Sequence, residues 1–457
     1  MVFSSLLFLF RFLPVAFIIY YAVPWKLKNL SLLLLSLFFY SWGEPRYFPV
    51  MLATILVNYL AALGIEKFAE RKGLRRACFL IAVFFSLGML IFFKYTNFFI
   101  ENLNGLLNLS IGTLELTLPL GISFYTFQTM SYTIDVYRGK VKAEHNIIDL
   151  GAFVVLFPQL IAGPIVLYTD INKELKSRKI RLAQIEEGVK IFILGLGKKV
   201  LIANNIGALW TEVETLGFAN VSTPLAWLGI LAFALQIFFD FSGYSTMAIG
   251  LGKMLGFEFP ENFNYPYIAR SITDFWRRWH MTLSSWFREY VYIPLGGNRK
   301  GKARMYFNLF VVWACTGFWH GANWNFIFWG LFFFVFLAIE KAGFSNFLDK
   351  HRIFSHVDVL FLLLISWSLF AITDLGQLGT FFTKMFSWSG GMDWLYYLRN
   401  YAVTIVIACF LSTPLVAKVF SKVDVNWIKN AIYLLIFLLS VAYLVDATYN
   451  PFLYFRF

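Results

Sequence analysis

Five histidines occur in the 457 residues, and two of them, His280 and His320, stand in the stretches least like the rest of the chain. His145, His351 and His356 fall in or beside polar loops. His320 belongs to TGFWHGANW at 316–324, where an apolar run meets a histidine with Gly317 and Gly321 close by and Trp319, Asn323 and Trp324 flanking it. Small neighbours let backbone or substrate come close, and an ionisable group within an apolar span marks function by default. A structural histidine bonded to a nearby carbonyl fits the same spacing. His280, in DFWRRWHMTL at 274–283, is surrounded by cations that disfavour its protonation and keep the imidazole neutral. An interfacial polar residue is its plainer reading.

Asp240 stands in QIFFDFSGY within a long apolar run. A buried carboxylate needs a partner, and an arginine of the 270–288 stretch is the expected one, which makes a structural ion pair the simpler role. The chain contains no GxxxxGK[ST], no GxSxG, no HExxH and no GxGxxG after a strand, so phosphate-cradle, dinucleotide and zinc-hydrolase chemistries have no support. No metal site is expected. What remains is a neutral imidazole at membrane depth, suited to take the proton of a hydroxyl that then attacks an acyl donor.

The elements that position these groups must be membrane helices. The chain is 59% hydrophobic and 14% charged, against roughly 25% charged in soluble domains. Its 54 Phe, 23 Tyr and 15 Trp suit rings packed against lipid and anchored at its interfaces. The net charge of +13 points to cytoplasmic loops and anionic headgroups, and nucleic acid is excluded as a partner. Cys78, Cys315 and Cys409 lack CxxC spacing and read as core thiols. The N-terminal run, with Arg11 inside it, reads as a retained first helix.

A span needs about 20 apolar residues, which segments 4–23, 47–65, 77–95, 188–206, 224–250, 357–374, 398–418 and 430–447 supply. The runs at 30–42, 119–136 (with Gln128 and Asp135), 148–167 and 305–341 are short or interrupted. Lys and Arg in 66–76, 138–142 and 173–181 put those loops in the cytoplasm, whereas 96–118 and 207–223 carry only acidic charge and lie outside. Segment 148–167, broken by Pro158, Gly163 and Pro164, should therefore dip in and return, which irregular backbone does only inside protein or beside a wet cavity. The charges of 262–304 forbid a lipid-facing span and place it at the cytoplasmic interface or along a wet interior. The expectation is an all-α polytopic membrane protein of about 11–12 transmembrane helices with re-entrant and interfacial helices, forming one integral membrane domain over 1–457.

Several segments together resemble the membrane-bound O-acyltransferase family, in its alginate O-acetylase branch: PLGISFYTFQ at 119–128, YTIDVYRG at 132–139, FPQLIAGPI at 157–165, DFSGYS at 240–245, DFWRRWH at 274–280, YIPLGGN at 292–298 and FWHGANW at 318–324. The pattern departs from that branch at Thr246 and at Leu167–Tyr168. The resemblance implies a helical ring around a central tunnel, with His320 catalytic and His280 a second functional histidine. It also implies acetyl-CoA or another cytoplasmic thioester as donor, and no bound cofactor. Trp319, Asn323, Asp240, Arg277, Arg278 and Gln128 are the candidates to line the tunnel or hold the donor. The implied activity is O-acetylation of an extracellular or periplasmic polysaccharide from a bacterial inner membrane; peptidoglycan, teichoic acid or lysophospholipid acylation, and polymer or lipid transport, are the alternatives.

The tail NPFLYFRF at 450–457 is similar to an aromatic C-terminal tyrosine motif of envelope acylation systems. The likeness implies that Tyr454 accepts the acyl group and relays it to an extracytoplasmic acetyltransferase partner. An interfacial aromatic anchor is the alternative.

Overall fold

A computed structural model describes residues 2–446 and Leu453. Apart from Leu453, the 450–457 tail motif, Tyr454 included, lies outside the described residues. Hydrocarbon offers backbone groups no hydrogen bonds, so a spanning segment must satisfy its own; accordingly the described residues form helices and no strand. Among the described residues, eight helices are long and apolar enough to cross a membrane: Phe48–Lys67, Lys72–Leu107, Leu182–Leu216, Thr223–Met254, Trp324–Lys350, Arg352–Ala371, Asp393–Leu411 and Asn426–Asp446. Seven overlap runs marked in the sequence, and the run at 4–23 is the shorter apolar helix Phe8–Ala22. The interrupted stretch 305–341 becomes two helices that meet beside His320. Cys315 and Cys409 are exposed on helix surfaces, not core thiols, because a lipid-facing position accepts a thiol as readily as a core does.

The chain divides into two compact units, Met1–Phe192 with Thr246–Pro260, and Ile193–Ser245 with Glu261–Phe457. The first contains α1 (Leu13–Ala22), α2 (Lys28–Gly43), α3 (Phe48–Lys67), α4 (Lys72–Leu107), α5 (Ile122–Tyr137), α6 (Ile147–Val155), α7 (Phe157–Leu160), α8 (Tyr168–Lys176) and most of α9 (Leu182–Gly197). A buried polar bridge ties three of them: Asn58 on α3 donates to Ser86 Oγ on α4 (3.1 Å) and accepts from Thr133 Oγ1 on α5 (2.8 Å). The Pro-broken segment is the pair α6–α7, interrupted at Leu156 and buried from Asp149 to Leu160. Protein groups serve its broken backbone, since Phe157 N–H donates to Ser36 Oγ (3.1 Å) and the Gln159 amide donates to the Phe153 carbonyl (2.6 Å). Lys176 closes this end of the unit by pairing with Glu144 (2.8 Å) and Asp149 (2.7 Å).

In the second unit a π-helical turn, Lys198–Ala203, leads into α10 (Asn204–Leu216), followed by the part of α11 (Thr223–Met254) up to Ser245. Segment 262–304 contributes the short helices α12 (Ile272–Trp276) and α13 (Met281–Phe287) and no span. Next come α14 (Lys302–His320), α15 (Trp324–Ile339), α16 (Ser345–Lys350), α17 (Arg352–Ala371), α18 (Leu375–Phe386), α19 (Asp393–Leu411), α20 (Leu415–Ser421) and α21 (Asn426–Asp446). Glycines bring α14 and α15 into backbone contact: a Cβ on Gly317 would lie 2.4 Å from the Phe326 carbonyl oxygen, and one on Gly330 2.4 Å from that of Trp313. That hairpin fixes the end of α14, where His320 sits. Glu340 fastens α12 by accepting the N–H groups of Ile272 (2.5 Å) and Thr273 (2.9 Å), donors that a helix start leaves open and that favour negative charge.

Candidate functional site

His320 is the last residue of α14, and the backbone turns extended at Gly321. Its Nδ1 lies 2.7 Å from the Thr316 carbonyl oxygen. A carbonyl only accepts, so Nδ1 carries the hydrogen and Nε2 carries the lone pair of the neutral ring. The ring is 6% exposed. It lies among Trp319, Trp329 and Phe370, with centroids at 4.9, 4.7 and 5.6 Å. Together with Ile237, Asp240, Phe241, Trp279, Trp329, Trp367, Phe370 and Leu453 it lines a cavity in the second unit. Apolar walls with few polar groups are the usual make-up of a small-molecule site, and a thioester's acyl end suits them.

His280 starts α13 in the left-handed region, at φ 43°, and is fully buried. Its ring packs edge-on to Phe241 (4.7 Å), a cavity residue, and approaches Trp319 (6.2 Å). Trp319 thus stands between the two imidazoles. The neutrality expected for His280 is present, but its cause differs: burial, then the nearby His320, holds the ring well below its ordinary range. The cations contribute little, because Arg277 is exposed and Arg278 pairs with the nearby Asp274 of α12 at 2.9 Å.

Asp240 corrects the sequence reading. Its partner is Lys199, on the π-helical turn, at 2.5 Å with both side chains 2% exposed, and not an arginine of 270–288. The arginines are taken up locally or face outward, whereas the π turn places Lys199 in the interior of the unit. The other carboxylate oxygen accepts the backbone N–H of Leu453 at 2.9 Å. Leu453 is buried, so a residue of the tail forms part of the cavity wall.

Of the remaining candidates, Trp319 is buried against His320, and Asn323 caps α15 by accepting from Trp324 N–H (2.7 Å). Gln128 is buried on α5 in the first unit. Arg277 and Arg278 do not line the cavity. Sequence reasoning missed Lys199, Asn262, which contacts His280, and the wall residues Trp279, Trp329, Trp367 and Phe370. Only the lysine pair at 198–199, inside an apolar run, carried a signal that a buried partner was needed.

Comparison with known proteins bears on this geometry. Residues 140–375, which include both histidines and most of the cavity wall, match the membrane-bound O-acyltransferase family. A probable alginate O-acetylase AlgI of Pseudomonas putida is 38% identical over 491 residues, covering 100% of both chains. Another probable alginate O-acetylase AlgI, from Pseudomonas aeruginosa, is 42% identical over 85% of this chain and 75% of its own length. A peptidoglycan O-acetyltransferase of Helicobacter pylori is 39% identical over 75% of this chain and 71% of its own. Buried histidines beside an aromatic cavity, a polytopic helical fold and these relatives lead to one assignment: the chain is a multi-pass enzyme of the membrane-bound O-acyltransferase family.

Proposed function

We propose that this enzyme, working as one integral membrane domain in a bacterial inner membrane, moves acetyl from a cytoplasmic thioester such as acetyl-CoA towards an extracytoplasmic polysaccharide of alginate type. The observation that carries the chemistry is the bond from His320 Nδ1–H to the Thr316 carbonyl at 2.7 Å in the wall of an aromatic cavity. It leaves Nε2 as the basic nitrogen. The His320 Nε2 takes the proton of an attacking hydroxyl, the oxygen bonds to the acyl carbon, and the carbon–sulfur bond breaks. The proton then passes to the departing thiolate, which restores the neutral ring. His280 serves as the second functional histidine.

The first acceptor hydroxyl is that of Tyr454. In support, Leu453, its neighbour in the chain, lies in the cavity wall with its N–H on Asp240. An extracytoplasmic partner acetyltransferase then takes the acetyl from the tyrosyl ester, returns the phenol, and places the group on the polymer. The exposed Arg277 and its neighbours in the basic 262–304 segment supply charge for the donor's phosphates. The Helicobacter relative supports a second acceptor, peptidoglycan, for the same chemistry.

Intact-protein mass spectrometry after incubation with labelled acetyl-CoA tests donor and relay together. A single labelled acetyl, absent from His320→Ala and from Tyr454→Phe, is expected. Full polymer acetylation by His320→Ala ends the general-base role, and full acetylation by Tyr454→Phe returns that residue to an anchor.

A further inference from the structure

Asn262 lies between α11 and α12, well ahead of α13 in the chain, yet its side chain gathers the bonds that hold His280. Oδ1 accepts from the Thr282 backbone N–H (3.3 Å) and the Thr282 hydroxyl (2.9 Å), and lies 3.1 Å from His280 Nδ1. Nδ2 donates to Ser245 Oγ on α11 (3.1 Å), and the Asn262 carbonyl accepts from Met281 N–H (3.0 Å). Asn262 is 1% exposed and His280 0%.

These contacts determine where the hydrogen is. A backbone N–H can only donate, so the amide atom facing Thr282 is the oxygen. An amide oxygen can only accept, so the His280 nitrogen beside it carries a hydrogen. The neutral ring is therefore the Nδ1–H tautomer, and Nε2 holds a lone pair. Among the described residues nothing hydrogen-bonds to this buried Nε2. A buried polar atom without a partner is costly enough that an acceptor kept in this state implies a ligand that donates to it.

We propose that Asn262 is a positioning residue that commits His280 to accepting a hydrogen bond, so that the ligand group it meets is a hydroxyl or amide N–H and not the acyl carbonyl. The inference rests on the acyl-transfer reading above and deepens it. A neutral ring of this tautomer has no hydrogen on Nε2 to offer an oxyanion, so the carbonyl must find its stabilising donor elsewhere. His320 has the same tautomer from a different source, the Thr316 carbonyl. Two acceptors flank Trp319: one removes the hydroxyl proton, and the other orients a second donor such as an amide of the thioester arm or a further hydroxyl.

The test uses the full-length protein in lipid, uniformly labelled with nitrogen-15 histidine, at pH 7.5. The His280 signals, assigned by their loss in His280→Asn, should show a protonated Nδ1 and a bare Nε2; the opposite pattern overturns the proposal whether or not the acyl-transfer reading holds. Asn262→Leu should release the Nε2–H tautomer in that spectrum and lower kcat for labelled acetyl transfer by about 10–100-fold, the usual loss when an orienting partner is removed. Asn262→Asp keeps an oxygen facing Nδ1 and should recover most of that rate. Wild-type kcat in Asn262→Leu overturns the positioning role, and if that variant does not fold, the wild-type spectrum and Asn262→Asp still decide.

Discussion

Lys199 and Asp240 join the π-helical turn to α11 through an ion pair 2.5 Å long from which water is nearly excluded. Removing one partner of such a pair leaves an uncompensated buried charge, at a cost of about 3–5 kcal/mol, whereas replacing both by apolar groups is often neutral. Lys199→Met and Asp240→Leu should each lower the thermal stability of detergent-purified protein sharply, and the double variant should regain most of it. A double variant no better than either single one would show that the two residues act separately.

The same carboxylate receives the N–H of Leu453, a contact that reads backbone and not side chain. Proline at 453 deletes that donor, whereas alanine keeps it and removes only the apolar contact. Leu453→Pro should therefore reduce acetyl transfer to polymer well below Leu453→Ala, with donor hydrolysis in the absence of polymer less affected. Equal transfer by the two variants would mean that the hydrogen bond to Asp240 contributes nothing to turnover.

How much of this was legible beforehand follows from what a one-dimensional pattern carries. His320 and Asp240 stood out because a titratable residue in an apolar run is an exception, and His280 because it sits in a run of charges interleaved with rings unlike the rest of the chain; the burial of all three agrees. The break in 148–167 showed in Pro158, Gly163 and Pro164, and α6–α7 bears it out. Lys199 did not declare itself as the partner of Asp240, because pairing between separate helices leaves no periodic trace. Trp279, Trp329 and Trp367 were hidden in a chain with 15 Trp and 54 Phe, where one more ring is no signal. Asn262 carried no signal in the sequence, since its role depends on the left-handed turn at His280 that folds Thr282 back over it.

The α14–α15 hairpin offers a test that touches no polar group. A methyl on Gly330 would fall 2.4 Å from the Trp313 carbonyl oxygen, inside contact distance and against backbone that cannot rotate away. Overpacking of this kind costs about 1–3 kcal/mol. Gly330→Ala should lower the melting temperature and, by displacing the end of α14, reduce transfer by His320 even at temperatures where the variant stays folded. A variant with unchanged melting and rate would show that the helices separate without moving the site. Gly379, whose added Cβ meets nothing within 4 Å, is the control.

Burial keeps His280 neutral in the folded protein, with His320 adding to the effect, which sets a direction for stability against pH. An unfolded histidine takes up its proton near pH 6.5. Below that value the unfolded chain binds a proton that the folded chain refuses, so the His280 contribution is complete above about pH 6.5 and declines as the pH falls, by at most about 1.4 kcal/mol per unit. His280→Asn removes the titrating group while keeping a residue that tolerates the left-handed backbone at φ 43°. Between pH 7 and 5 the wild type should lose thermal stability faster than the variant, so that the gap between their melting curves narrows or reverses. Curves that stay parallel across that range would show that His280 takes up its proton as readily in the folded enzyme as in the unfolded chain, and burial would then not be what keeps the ring neutral.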